Sequence, residues 1–392
     1  MALRELILIE GAFDMKRLKI LIFTCIISCC FFISCRATSE EADYSSPPLI
    51  ADLTNVYVLQ DNVFKSNAVS AFCQTSSNGY ILAEDNHILI LDEEYRILNH
   101  YSICHPSIPD GAHEIRGIHE KEGQICVAVF EYESSFSYIA SLSQGNGELC
   151  YGKLMDLEIR DTASFTSGML FVGSSDGVSK AGLVSSAGDI LWEKQLPCLH
   201  QGGTGKSEIW KCCEWNNQFY ILLSDGIGYF DEASLITLDQ TGYSDTMMNV
   251  KFPEQIQRIT DLVIDEKNCF IGVIAHRDSE LTPMMVMLSF DESVVAPVYI
   301  NNILGLHDIS ICNGKYIAIV SRVSEVALSD YLIWIDSKGK VVHDKQLFDN
   351  SYNCGINLNI AIMEPEKIVL AGIMYERSTS GLIKSTILIE VD

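Results

Sequence analysis

The sequence predicts an all-β chain folded as a seven-bladed β-propeller, its four-stranded antiparallel blades closed by the N-terminal strand. Three observations carry this. A strand–turn–strand unit recurs along the chain at a spacing near 50 residues. Each unit includes a strand that is apolar on both faces. The last unit is one strand short, while an unassigned strand, Asn55–Leu59, stands near the start of the mature chain.

The recurring unit reads most clearly at Ile88–Leu98, Gly182–Trp192, Leu235–Gly242 and Leu332–Val342, with weaker copies at Tyr138–Tyr151 and Met285–Val298. Asp or Ser ends the first strand of each clear copy, where its side chain bonds the backbone two residues on. Gly188, Gly242 and Gly339 then supply the positive φ that a tight turn needs. The anchor recurs at residues 92, 143, 185, 239, 289 and 336. A period of about 40–50 residues with four strands per repeat is the pattern of a propeller blade.

Two further strands precede each hairpin, for example His113–His119 and Gln124–Tyr132, or His307–Cys312 and Lys315–Ser321. The second of them is apolar throughout: Ile125–Phe130, Phe219–Leu223, Tyr316–Val320 and Ile368–Ile373. Such a strand must be covered on both faces, and neighbouring blades do that covering. Ala128, Ala318 and Gly372 suit the crowded inner part of a blade. The seventh unit supplies Leu358–Ile362, Lys367–Met374 and Ser385–Val391, and Asn55–Leu59 completes it by pairing beside Ser385–Val391. The alternatives are a β-sandwich array or a propeller of six or eight blades. Pro253–Ile264 has a passable helical period, and its second half reads as a first blade strand.

Composition narrows function. The chain has 392 residues, 27 basic against 52 acidic, and a formal net charge of −25. Phosphate binding needs a basic surface, so nucleic acid is excluded as a partner. A polybasic grip on anionic lipid is excluded equally.

The N-terminus is expected to address the chain to a membrane. Lys16, Arg17 and Lys19 precede the apolar run Ile20–Ile33, which has the length of a signal peptide and is too short to span. Residues 1–34 form this segment, with 15–34 its core. Glu5, Glu10 and Asp14 put the wrong charge before the basic region, so residues 1–14 are expected to be a mis-called extension with Met15 as the start. The run ends Phe32-Ile33-Ser34-Cys35, which resembles a bacterial lipobox although Phe stands where Leu is usual. The resemblance implies that Cys35 is lipidated and becomes the first mature residue. Residues 35–49 then form the lipidated Cys and a polar tether, and 50–392 the propeller. Arg36 after the Cys is not the Asp of an inner-membrane retention signal, so an outer-membrane or cell-surface site is expected.

Chemical motifs are sparse. Gly202–Ser207 resembles the end of a phosphate-binding loop, but His200 stands where that loop needs its first Gly and a strand follows where it needs a helix. Of fourteen Cys, ten lie beyond Cys35, and none forms a C-x-x-C pair. Cys73, Cys126, Cys269 and Cys312 read as small buried hydrophobes. Cys212 and Cys213 should point to opposite faces of a strand, and most thiols are expected free, with a bridge such as Cys150–Cys198 left open. His100, Cys104, His105, His113 and His119 gather between the first two units and read as a polar inter-blade loop. Asp92-Glu93-Glu94 and Asp231-Glu232 lack calcium-loop spacing and read as solvated turns. No nucleophile elbow is present. The sequence assigns no catalytic residue, cofactor or metal.

The repeat resembles the quinoprotein-like propeller family, whose blades carry Ala-x-x-x-Gly-x-x-x-Trp with the Trp docked between blades. Only Ala187-Gly188-Asp189-Ile190-Leu191-Trp192 approaches it, so the resemblance implies the fold and not quinone binding. Lipid Cys, tether and propeller together resemble the propeller lipoproteins of the outer-membrane protein assembly machinery. The expectation is a non-catalytic envelope module that binds a protein or glycan. The alternative is a propeller hydrolase or lyase acting on polysaccharide, which carboxylates converging on the central channel would favour.

Overall fold

The computed structural model describes residues 55–59, 69–107, 112–143, 147–166, 168–197, 207–225, 228–277, 280–290, 294–298, 300, 302–312, 315–323, 328–349, 354–363, 367–378 and 381–391. All of them belong to one compact unit, Pro48–Asp392. Every element among them is a strand.

β1 (Asn55–Leu59) stands first. β2 (Ala71–Gln74), β3 (Tyr80–Glu84), β4 (His87–Leu91) and β5 (Ile97–Ser102) form one antiparallel meander. The next comprises β6 (His113–Lys121), β7 (Gln124–Glu131), β8 (Phe136–Ser143) and β9 (Leu149–Met155), and the third β10 (Glu158–Phe165), β11 (Gly168–Ser175), β12 (Val178–Ser185) and β13 (Ile190–Gln195). A seven-stranded sheet follows: β14 (Ser207–Trp215), β15 (Gln218–Asp225), β16 (Phe230–Leu238), β17 (Ser244–Ile264), β18 (Asn268–Arg277), β19 (Glu280–Ser289) and β20 (Val294–Val298). β21 (Ile303–Cys312), β22 (Lys315–Val323), β23 (Leu328–Ile335) and β24 (Val341–Asp349) make the next sheet. β25 (Cys354–Met363), β26 (Ile368–Ser378) and β27 (Gly381–Val391) make the last, completed by β1.

The seven-stranded sheet is two meanders sharing one strand. The first half of β17 pairs with β16, as Ser244 with Leu238, and the second half pairs with β18, as Ile264 with Cys269. Residues 253–264 are therefore strand throughout, which overturns the helical alternative: the apolar residues of this stretch serve the pleat and its two bulges. Asp231-Glu232 is likewise not a turn but the exposed start of β16, with Lys251 3.6 Å from Glu232.

The first strands touch in a closed cycle: β2 with β6, then β10, β14, β17, β21 and β25, and β25 with β2 again. This is a ring of radial sheets, each with its first strand innermost. Second strands are buried end to end, as in Ile125–Phe130, because sheets cover them on both sides. Cys212 and Cys213 enter two different inter-sheet clusters, as alternation requires.

The turns follow the expected chemistry. Asp239 Oδ1 accepts the amides of Thr241 (2.8 Å) and Tyr243 (2.9 Å), and Asp336 Oδ1 those of Lys338 and Lys340, both at 2.9 Å. Gly188, Gly242 and Gly339 have φ of 90°, 77° and 76°. These glycines also let the turn dock on the preceding sheet. A Cβ at Gly242 would stand 3.1 Å from the Trp192 ring, whose Nε1 donates to Gln240 O at 2.8 Å. Trp192 thus docks between sheets.

The ring closes where β1 pairs with β27, Asn55 opposite Glu390 through Leu59 opposite Thr386. At this seam the first meander's turn departs from the rule. Its Gly position is Tyr95, held at φ 63° although 4 % exposed. Left-handed backbone is strained for a bulky residue. Packing holds it there: the ring lies 4.3 Å from Tyr57 of β1 and 5.1 Å from Tyr80 of β3. Lys367 Nζ donates to Tyr95 Oη at 3.3 Å and stands 3.3 Å from Glu390 Oε1. Tyr95→Gly should relieve the strain yet lose a buried ring, for a net destabilisation of about 2 kcal/mol. Urea melts of the two proteins measure it, and a more stable variant would show that the ring does not hold the seam.

Candidate binding face

A β-bulge recurs on the inner strands, and the candidate face is built from it. Register shifts fall at Ile115/Gly117, Ile159/Asp161, Ile209/Lys211, Ile259/Asp261, Leu306/Asp308 and Leu358/Ile360. The leading Ile or Leu is buried each time. The inserted residue breaks the alternation and re-aims two side chains.

At three of these bulges the residue after the insertion reaches the next sheet's inner strand. Asp161 Oδ2 accepts the Cys212 amide at 2.8 Å, Asp308 Oδ2 accepts the Ala361 amide at 2.8 Å, and Asp261 Oδ2 accepts the Ile309 amide. Between the second and third meanders the position is Gly117, where the Thr162 hydroxyl donates to Arg116 O at 3.3 Å. A Cβ at Gly117 would stand 1.9 Å from Thr162 Oγ1, so Gly and Thr replace the carboxylate together.

Lys211 takes this position on β14, with Nζ 3.3 Å from Asp161 Oδ1. Burial would lower its ammonium, but Asp161 and Asp261 hold it above the usual lysine range. Burial raises the Asp261 carboxyl, and burial with the neighbouring Asp261 pushes Asp308 well up. The ring thus gathers three carboxylates and one ammonium, and each carboxylate is engaged by a backbone amide of the next sheet. Their first duty is to clasp sheets together.

Of the inserted residues, Arg116, Arg160, Trp210 and His307 point to the end of the sheet where its first strand begins, here the entry end. Arg116 pairs with Glu114 (2.9 Å) and Glu158 (3.3 Å), and Arg160 with Glu158 (3.1 Å) and Glu208 (3.9 Å), a ladder across three sheets. The Arg116 guanidinium lies 4.3 Å from the Phe130 ring centroid. Trp210 Nε1 donates to Ser224 Oγ at 2.7 Å. His307 Nε2 meets Ser321 Oγ at 2.7 Å, and that hydroxyl donates to Asp330 Oδ1 at 2.5 Å. With Ser in the middle and its proton turned to Asp, this is not the order of an activated serine nucleophile, in which His lies between.

Exposed large apolar side chains stand at both ends. Tyr132, Tyr229, Leu281, Leu304 and Ile383 lie at entry-end loops and strand starts. Ile97, Leu98, Leu191 and Val342 open outermost strands at the opposite end, where Tyr243 sits in a turn, and Val58 and Met247 lie further along outermost strands.

Cys35, residues 1–34, the tether and Gly202–Lys206 lie outside the described residues. Ser207 opens a strand, as read. The histidine group does not converge, and only Cys104 and His105 lie in a loop. His100 is on an outermost strand, 3.2 Å from His87, whereas His113 and His119 are buried on β6, the strand read over His113–His119. His105 and His113 both pack edge-on against Tyr138. Among the described residues no group of three His, Cys, Asp or Glu is placed to hold a metal ion. Cys73, Cys104, Cys126, Cys150, Cys212, Cys213 and Cys269 are free thiols, and burial pushes Cys73 and Cys126 up to about 12. The inner-strand motif escaped the sequence reading, although the repeated Glu-Ile-Arg of 114–116 and 158–160 and the Leu-His-Asp of 306–308 were its signal.

No known family model matches the chain, and no curated protein matches it. Among solved structures it is similar to the WD40 domain of Neurospora crassa Pan2, at 11% identity over 85% of this chain and 93% of that one, TM-score 0.52. It is also similar to the Dos1 propeller, at 10% identity over 87% and 94%, TM-score 0.53. A protein of unknown function from Bacteroides caccae matches at 14% identity over 68% and 92%, TM-score 0.40. The first two likenesses show the fold: the chain is a β-propeller.

Asp330 generates a pH prediction. It is 2 % exposed, and burial raises its carboxyl to about 6. The folded state therefore holds this proton more tightly than the unfolded chain, and stability is lost as pH rises through 6. Asp330→Asn, which mimics the protonated form, should match the parent near pH 4. It should exceed the parent by up to roughly 3 kcal/mol at pH 7.5. Denaturant melts at the two pH values check this, and a constant difference would contradict it.

Proposed function

We propose that the chain is a seven-bladed, non-catalytic binding propeller held at the cell envelope by a lipid on Cys35, with its entry end as the docking face for an envelope protein or glycan. The observation that carries this reading is the ion-pair ladder from Glu114 through Arg116, Glu158 and Arg160 to Glu208 across three sheets at the entry end, with the exposed Tyr132 ring 5.7 Å from the Arg116 guanidinium. Rigid aromatics beside fixed charged groups are the usual material of recognition surfaces. Propeller likeness is compatible with a protein-binding scaffold, and function resides in what the loops present. The signal-like segment before Cys35 supports export and anchoring.

The alternative, an envelope polysaccharide hydrolase or lyase, draws support from Asp161, Asp261 and Asp308 on the inner strands. Their engagement with backbone amides of the next sheet favours a clasp over a free acid–base pair.

Photo-crosslinking in native membranes tests the proposal. A photoreactive residue at Tyr132 or Tyr229 should give covalent adducts, one at Tyr243 should not, and Cys35→Ser should release the protein from membranes. Adducts at Tyr243 alone, or a Cys35→Ser protein that stays membrane-bound at the mature mass, would contradict it. Release of reducing or unsaturated sugar ends by the purified protein would favour the enzyme.

A further inference from the structure

A cavity of about 210 Å³ opens at the entry end between β19 and the start of β21. Its walls include Pro283, Met284, Pro297 and Ile300, with Glu254 and Arg277 as its charged groups. It is smaller than ordinary small-molecule pockets and is sized for one side chain.

Strand addition is excluded as the way in. β20 stops at Val298, opposite Met285, so Glu280–Met284 has a partner only in β18 among the described residues. The Phe290 amide donates inward to Lys267 O at 2.8 Å, so alternate residues back along β19 do the same, and Leu281 and Pro283 face outward. Pro283 has no N–H to give. Proline at an outward edge position blocks pairing with another strand.

The charged groups define the occupant. Arg277 Nε stands 3.7 Å from Glu254 Oε1 on a side chain 62% exposed, a loose pair. Glu254 Oε2 is buried and has no hydrogen-bond partner. An apolar wall ending in an under-bonded carboxylate suits a methylene stem with a cationic head. The net charge of −25 draws the same kind of partner. We propose that this cavity takes an Arg or Lys side chain of a partner protein, its stem along Met284 and Ile300 and its head on Glu254. Arg277 is then a placeholder that the incoming cation displaces. The inference rests on the reading of the chain as a binding module.

The test uses the full-length protein in detergent with isotope-labelled methionine methyls. The probe is a capped Gly-Gly-Arg-Gly-Gly peptide, with Gly-Gly-Leu-Gly-Gly as comparison. The Met284 methyl should shift saturably with the Arg peptide. Glu254→Gln should weaken binding about tenfold, the loss of a charge-assisted pair. Arg277→Ala should strengthen it several-fold, because a competing cation is gone. A merely structural Glu254–Arg277 pair would move both variants the same way. Equal binding of the Leu peptide, an unchanged Glu254→Gln or a weaker Arg277→Ala would overturn the proposal. So would shifts confined to other methionines, which would leave the binding-module reading standing.

Discussion

The pairing of β1 with β27 carries the ring. Sheets with strands apolar on both faces are stable only when both faces are covered, and an open arc would leave two end sheets bare. Joining Asn55 to Glu390 therefore does more than add a ladder of hydrogen bonds. It brings the last sheet against the first and buries Tyr80 and Tyr95 beside Lys367, with the half-buried Tyr57 packed on Tyr95. Loop entropy rises slowly with length, so closure across the whole chain costs little more than a local one. The strain at Tyr95 is tolerated here because the surrounding rings over-determine its position.

Inside the ring, one geometric device does two jobs. The bulges on β10, β17 and β21 turn a carboxylate toward the next sheet, and those on β6, β10, β14 and β21 turn a polar side chain toward the entry end. The first set, Asp161, Asp261 and Asp308 with Gly117–Thr162 as a substitute, fixes neighbouring sheets through backbone amides. The second set, Arg116, Arg160, Trp210 and His307, furnishes the entry end with fixed polar groups. Architecture and candidate face thus share a cause, and the charges at that face are held by packing rather than by mobile loops.

Local chemistry was legible in the sequence. The Asx-type turns with glycine, the doubly apolar second strands and the closing strand all follow from residues adjacent in the chain or from a missing member of a repeat. The bulges escaped the reading because they break the alternation that strand reading depends on, and only the repeated Glu-Ile-Arg and the Leu-His-Asp marked them. The clasps join residues such as Asp308 and Ala361 in successive units, and no local pattern announces such a pair. His113 and His119 group in sequence with a polar loop although a strand is also read over His113–His119, and β6 buries both. Tyr95 stands where the other clear turns have Gly, and its role appears only once Tyr57 lies beside it.

Hydrogen exchange at the amides of β1 tests the closure most directly. If β1 seals the ring, the amides of Asn55–Leu59 that bond β27 exchange only when the whole propeller unfolds, and their protection equals that of β7. Fast exchange of β1 in a protein whose β7 amides remain fully protected would contradict the account, because the ring would then stand without the strand that is held to close it.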